Sequence, residues 1–400
     1  MDATVSSAPP SPPLGPSDLR GVLALLAAWA AVSTAASAST GNLVMGVVSA
    51  VLVAACVLRI ASSPPPATRN PVARIAVSGV LKLAALVVSL SLSLLAAEGL
   101  TRWFYRDVTT TADFRGYFTT KWMRSQVRHN HYDYRGGEFD EVKPAGVYRV
   151  AVLGDSYTYG NGVPEDRRFS NLVGEALRNL HIEVLNFGFP GNNWPEHVKA
   201  LERRVLRLRP DFVLLQWGTN DVELDRDVAG RPKIPPILSN RELHESLYRV
   251  SALYTILNAQ WIRVQLLRQM GDTYQGYMTR LYGDANSDGA VQAAALMRRF
   301  IELCRSRGVG VGLVMFPDAG VSLGAGYPYR FLHQRVQAIC AEQSIQCVDL
   351  LPRFTPAEGQ HALWASPLDS HPNVLANRIA ADEILAAFAP RWTTAASGAQ

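Results

Sequence analysis

The stretch Tyr148-Arg-Val-Ala-Val-Leu-Gly-Asp-Ser-Tyr157 decides how this chain folds. Residues 148–153 are mostly β-branched or apolar, the run is short, and Gly154 stops it, so it reads as a buried strand. Ser156 then stands just past the C-terminal end of that strand, on the edge where open α/β sheets hold their ligands. Many strand-to-helix turns contain serine, so the reading leans on two later segments. Phe212-Val-Leu-Leu-Gln-Trp217 is a second apolar strand and runs into Gly218-Thr-Asn-Asp221. Asp369-Ser-His-Pro-Asn373 opens the last predicted helix, with Pro372 at the first-turn position that helices favour. A hydroxyl, amide donors and an Asp/His pair are the parts that acyl transfer requires.

Outward from these blocks, strand and helix patterns alternate. Helix 170–180 follows the serine strand, strand 182–187 leads to a glycine turn at 188–191, and helix 195–208 leads to strand 211–217. Helix 290–306 precedes strand 309–316, helix 329–341 precedes strand 345–350, and helix 372–388 closes the domain. This predicts an α/β fold with a parallel sheet covered on both faces and the chemistry-bearing strand ends on one edge. Residues 222–289 break the alternation. Leu243, Leu247, Val250, Leu253, Ile256, Leu257 and Trp261 recur near helical spacing, so 240–270 reads as one long or two shorter amphipathic helices. The insertion is either extra packing or a lid or acceptor wall beside the active edge.

A free hydroxyl is a poor nucleophile near neutral pH, so Ser156 needs a base. His371 is the candidate, with Asp369 two residues earlier to hold the imidazole tautomer. His197, His244 and His333 lie in helical patterns, where a packed or surface role is the simpler reading. Asp155 and Asp221 read as acceptors for turn N–H groups rather than as catalytic groups. Asp284-Ala-Asn-Ser-Asp-Gly289 matches half of a calcium loop, but Ala295 stands where the bidentate carboxylate belongs, so the segment reads as a turn before a helix.

Four pieces occur in a telling order: Gly154-Asp155-Ser156, Asn186-Phe-Gly-Phe-Pro-Gly191-Asn192, Gly218-Thr219-Asn220-Asp221, and Asp369-Ser370-His371. In these the chain resembles the SGNH (GDSL-type) hydrolase superfamily over about residues 147–390. The resemblance implies the three-layer α/β/α SGNH-hydrolase fold and a serine esterase. It makes Ser156, His371 and Asp369 catalytic, and the Ser156 amide, the Gly191 amide and the Asn220 side chain the oxyanion hole. Many members place the acid three residues before the histidine. Here that position is Leu368, and the shorter Asp369–His371 spacing resembles other branches, including some linked to polysaccharide O-acetylation. No metal or cofactor is implied.

The chain has 400 residues and is 48% hydrophobic. The apolar excess lies at the N-terminus, in runs at 23–38, 43–60 and 76–97 that approach the ~20 residues needed to cross a bilayer. They predict N-terminal transmembrane helices at about 21–39, 42–60 and 76–98, within a membrane region 20–100 that follows a Pro/Ser-rich, disordered cytoplasmic tail at 1–19. Arg59, Arg69 and Arg74 between the second and third runs put that loop inside, and so put everything past about residue 100 outside the cytoplasm. Arg102 and Arg106 on the outer side oppose this orientation. Trp103, Phe104 and Tyr105 read as an interfacial belt. The expectation is a bacterial inner-membrane protein with a periplasmic domain. Residues 101–146 lead into the hydrolase domain at 147–392, and 393–400 reads as a disordered tail.

A net charge of +5 with no basic, aromatic-interleaved stretch excludes nucleic acid as an expected partner. Of the 4 cysteines, Cys56 falls in a proposed span, while Cys304, Cys340 and Cys347 follow it. Cys340 and Cys347 bracket a helix-to-strand turn and either pair or stay as buried thiols. The expected partners are the membrane and an ester substrate, acyl groups on glycans or lipids. Two rival readings stand beside the esterase: an O-acyltransferase serving a polysaccharide hydroxyl, and a non-catalytic envelope module on the same scaffold. Oligomeric state is not legible.

Overall fold

The computed structural model describes residues 71–111, 115–224, 233–270, 273–356 and 360–398. The chain divides into two compact units, 1–106 and 107–400. The expected tail at 1–19 and the first two expected spans lie outside the described residues.

In the first unit, helix α1 runs Pro71–Phe104. Its segment Lys82–Phe104 spans 23 residues with a mean hydropathy of 2.0, long and apolar enough to cross a membrane. At ~1.5 Å per residue that segment exceeds the ~30 Å of a hydrocarbon core. Leu83, Leu86, Leu90, Leu94, Trp103 and Phe104 all point outward.

The second unit begins with helix α2 (Tyr117–Gln126). Its sheet has the parallel order β2-β1-β3-β4-β5, from strands β1 (Tyr148–Gly154), β2 (Ile182–Gly188), β3 (Phe212–Trp217), β4 (Gly310–Met315) and β5 (Gln346–Asp349). Strands β1 and β3 are buried throughout, as fully covered parallel strands must be. A short helix α3 (Ser156–Tyr159) follows β1. The β1-to-β2 crossover carries helix α4 (Phe169–Leu177), and the β2-to-β3 crossover carries helix α5 (Trp194–Arg203). Because the strand order reverses at β1, right-handed crossovers place α4 and α5 on opposite faces. This is the three-layer α/β/α arrangement, and β1 and β3 flank its topological switch point, where such sheets bind ligands.

Between β3 and β4, the region read as one or two helices forms two, α6 (Arg241–Val250) and α7 (Ala252–Met270), followed by α8 (Tyr274–Tyr282). Ser251 separates the first pair: its backbone is extended, and its hydroxyl accepts the Tyr254 N–H at 3.0 Å as a cap. Helices α6 and α7 pack on α2, and the Tyr117 N–H donates to Thr255 Oγ1 at 3.1 Å. Helix α9 (Asp288–Ser306), capped by Ser287, packs beside α5 on one face.

Helix α10 (Arg330–Glu342) leads to β5, and Cys340 and Cys347 form a disulfide across that turn with a Cα–Cα distance of 6.3 Å. Cys304 is a buried free thiol. After the short helix α11 (Leu351–Phe354), strands β6 (Trp364–Ser366) and β7 (Asp369–Pro372) form an antiparallel hairpin. Helix α12 (Val374–Gly398) then packs against α4.

Two expectations are corrected here. His371 lies on β7, not at a helix start; Asn373 caps the helix instead, its side chain accepting the Ala376 N–H at 3.0 Å. The tail expected from 393 is helical to Gly398, because Trp392 and Ala396 remain buried against the core.

Candidate active site

Strand β1 delivers Ser156 to the carboxyl edge of the sheet. The sharp entry to α3 is held by Asp155, whose Oδ1 accepts the Tyr157 N–H at 2.8 Å. The β6–β7 hairpin brings the imidazole to it. His371 Nε2 lies 2.8 Å from Ser156 Oγ, and His371 Nδ1 lies 2.5 Å from Asp369 Oδ1. Hydroxyl, imidazole and carboxylate thus form one chain of hydrogen bonds across 215 residues of sequence. The short Asp–Ser–His spacing has a local consequence: Asp369 Oδ1 also accepts the His371 backbone N–H at 3.1 Å. One oxygen therefore holds both the ring and the backbone of the histidine.

The other carboxylate oxygen meets two groups that local sequence patterns did not single out. Thr110 Oγ1 donates to Asp369 Oδ2, and Asn161 Nδ2 donates to the same atom at 3.0 Å. Asp369 is only 1% exposed, so such donors are what make a buried carboxylate tolerable. Burial opposes its ionisation, but the charge of His371 and the donated hydrogen bonds outweigh burial, and its pKa is lowered. Burial likewise works against an imidazolium at 371, yet Asp369 prevails and the pKa of His371 is raised above the ordinary imidazole value. With Nδ1–H committed to Asp369, the neutral ring presents a bare Nε2 to Ser156, the form a general base needs.

The proposed oxyanion donors lie on the same edge. Gly191 sits in the turn after β2 with φ +82°, a left-handed conformation that glycine adopts without a steric cost. Asn220 follows β3, and its Nδ2 donates one hydrogen to Asp155 Oδ2 at 3.0 Å, leaving the second amide hydrogen for another acceptor. Asp155 and Asp221 act as turn acceptors. Asp221 Oδ2 takes the Gly218 N–H at 2.8 Å, and Asp221 Oδ1 pairs with His197 Nε2 at 2.9 Å, both side chains fully buried. Burial pushes the Asp221 carboxyl up to about 6, against the pull of His197. A His–Asp pair thus braces the turn that carries Asn220, a partnership that helical periodicity around His197 did not reveal. His333 makes a second such pair with Asp349, at 2.9 Å.

The walls are aromatic and acidic. Tyr157 stacks edge-on to His371 with centroids 5.4 Å apart, and Asp318, after β4, contributes negative charge that favours the imidazolium.

The sequence profile of the GDSL-like lipase/acylhydrolase family matches residues 152–379. No curated protein matches the chain. Among solved structures, it is similar to a lipolytic protein of the G-D-S-L family from Veillonella parvula, at 17% identity over 61% of this chain and 99% of that one, with a TM-score of 0.38. It is similar to the lipase/acylhydrolase from Enterococcus faecalis at 17% identity over 61% and 97%, TM-score 0.38. It is also similar to the acetyl xylan esterase AlAXEase at 17% identity over 60% and 99%, TM-score 0.38.

Proposed function

The chain belongs to the GDSL-like lipase/acylhydrolase family, and from that premise we propose that it is a membrane-anchored serine esterase with Ser156 as nucleophile, His371 as base and Asp369 as its acid partner. The observation that carries this reading is the continuous contact from Ser156 Oγ to His371 Nε2 at 2.8 Å and from His371 Nδ1 to Asp369 Oδ1 at 2.5 Å. Ser156 Oγ attacks the ester carbonyl carbon while His371 Nε2 takes its proton. The oxyanion that forms is met by the Ser156 and Gly191 amides and the Asn220 carboxamide, donors aimed at charge that exists only after attack. Collapse expels the alcohol, protonated by His371, and leaves Ser156 acylated. Water, deprotonated by the same imidazole, then releases the acid. Asp369 offsets the imidazolium in both halves.

The apolar segment Lys82–Phe104 supports an anchor in the bacterial inner membrane. The basic residues Arg59, Arg69 and Arg74 support an extracytoplasmic catalytic unit, and the Cys340–Cys347 disulfide fits an oxidising compartment. That location favours acyl groups on envelope glycans or lipids as substrates.

The full chain purified in detergent should hydrolyse a small acetyl ester, and Ser156→Ala should fall to the uncatalysed rate. Equal rates for the two proteins would sink the proposal. With a glycan acceptor present, acyl groups found on the glycan rather than as free acid would redirect the reading to transfer. A reporter fused after Asp107 tests topology; activity only from a reporter that works in the cytoplasm would overturn the orientation.

A further inference from the structure

We propose that Thr110 is a positioning residue for the Asp369 carboxylate, supplied by a strap that lies outside the family-matched segment. The inference rests on the reading of Asp369 as the acid partner of His371. Thr110 stands upstream of residues 152–379, in a stretch that sequence patterning treats as a mere lead-in. Its side chain is nevertheless fully buried, and its hydroxyl reaches across 259 residues to Asp369 Oδ2.

The strap is fastened along its length. Val108 and Thr111 are buried beside Thr110. The Thr110 carbonyl accepts the Ser366 hydroxyl at 2.6 Å, and Ser366 pairs with Asp369 across the β6–β7 hairpin. Gly162 makes room for it: a Cβ there would lie 2.7 Å from both Thr110 Oγ1 and Ala365 Cβ, and its φ of +79° already disfavours any other residue. Main chain, side chain and neighbouring backbone all hold the hydroxyl against one carboxylate oxygen.

A carboxylate offers about four lone-pair directions. At Asp369 four donors take them: the His371 N–H and Nδ1–H on Oδ1, Thr110 and Asn161 on Oδ2. The last torsion of an aspartate side chain has only broad preferences of its own. With donors on both oxygens it cannot turn without breaking a bond, so Oδ1 stays in line with Nδ1. Without Thr110, Asn161 alone restrains the outer oxygen. Its amide also lies 3.4 Å from His371 Nδ1, so a rotated carboxylate would let Asn161 compete for the ring.

The test uses the full chain in detergent and an acetyl ester. Thr110→Val keeps the shape and removes the hydroxyl. A hydrogen bond to a charged group is worth enough to lower kcat roughly 10- to 100-fold, and KM should stay unchanged because no substrate contact is lost. Thr110→Ser should restore most of the rate. In an Asp369→Ala background, Thr110→Val should cost nothing further, since the group it positions is gone. Should valine fail to fold, Thr110→Ala, which is smaller than threonine everywhere, carries the same expectation. Wild-type kcat in Thr110→Val, or the same fractional loss in the Asp369→Ala background, overturns the inference. Failure of the underlying esterase reading shows separately, as turnover retained by Ser156→Ala.

Discussion

Replacing Asp369 by asparagine removes a charge and keeps a shape, and the hydrogen bonds around it say what survives. An asparagine must turn its oxygen to one side and its NH2 to the other. With the oxygen toward His371, the productive tautomer persists and Nε2 remains free for the serine proton. The new NH2 then faces Thr110, whose hydroxyl can accept, and Asn161 Nδ2, donor against donor. Asn161 Oδ1 is buried without a hydrogen-bond partner, so flipping that amide supplies the missing acceptor. The variant therefore keeps the tautomer and loses only the charge. At ~4 Å and an effective dielectric of ~20, a unit charge contributes about 4 kcal/mol to the imidazolium that forms during attack. That corresponds to a loss of about a thousandfold in kcat. An inverted tautomer would cost on the order of ten thousandfold. The pH profile gives a second reading. In the wild type, burial depresses the His371 pKa but Asp369 raises it more, and the net shift is upward. The proposed base works only when neutral, so activity should be lost as pH falls through that raised pKa. Removing the carboxylate leaves only the weaker pull of Asp155 and Asp318 against burial and should move the acidic limb of kcat/KM to lower pH. Steady-state hydrolysis of an acetyl ester from acid to neutral pH measures both quantities. Turnover within tenfold of wild type, or a limb that moves upward, would remove Asp369 from the mechanism.

The remaining expectations concern groups around this chain. Asn220→Ala should lower kcat by roughly 10²–10³ with little change in KM, as for loss of one oxyanion donor, measured by steady-state kinetics. His197→Ala strands the buried Asp221 carboxylate and should cost about 3 kcal/mol of stability, seen as a lower Tm, with a fall in kcat because the Gly218–Asp221 turn carries Asn220. Burial holds the folded Asp221 pKa at about 6, above its unfolded value, so this group's contribution to stability should decline as pH rises from about 4 to about 6; melts across that range check the sign. Cys340→Ser opens a loop of sequence separation 7 and should cost about 2 kcal/mol of stability while leaving hydrolysis unchanged.

The parts of this site that were legible in sequence are those whose signal is local. The apolar run ending at Gly154 sufficed to put Ser156 on a strand edge, and the alternation of strands and helices sufficed for a covered parallel sheet. The last helix was misread at both ends for physical reasons. Pro372 resembles a first-turn residue, but Asn373 caps the helix, which leaves Asp369 and His371 in extended backbone. At the far end, small residues after Trp392 resemble a tail until Trp392 and Ala396 are seen to pack. Extended backbone matters to the chemistry. It lets one Asp369 oxygen hold both the backbone and the ring of a histidine two residues on, which answers why a spacing shorter than that of many relatives still makes a dyad. That solution leaves the second oxygen buried and in need of donors. Thr110 and Asn161 meet that need from 259 and 208 residues away, separations at which no periodicity or spacing rule operates. Asn161 lies within the family-matched segment and Thr110 before it. Trimming the chain to the matched residues would therefore keep Ser156, His371 and Asp369, the proposed nucleophile, base and acid, but discard a group proposed to hold the acid in line.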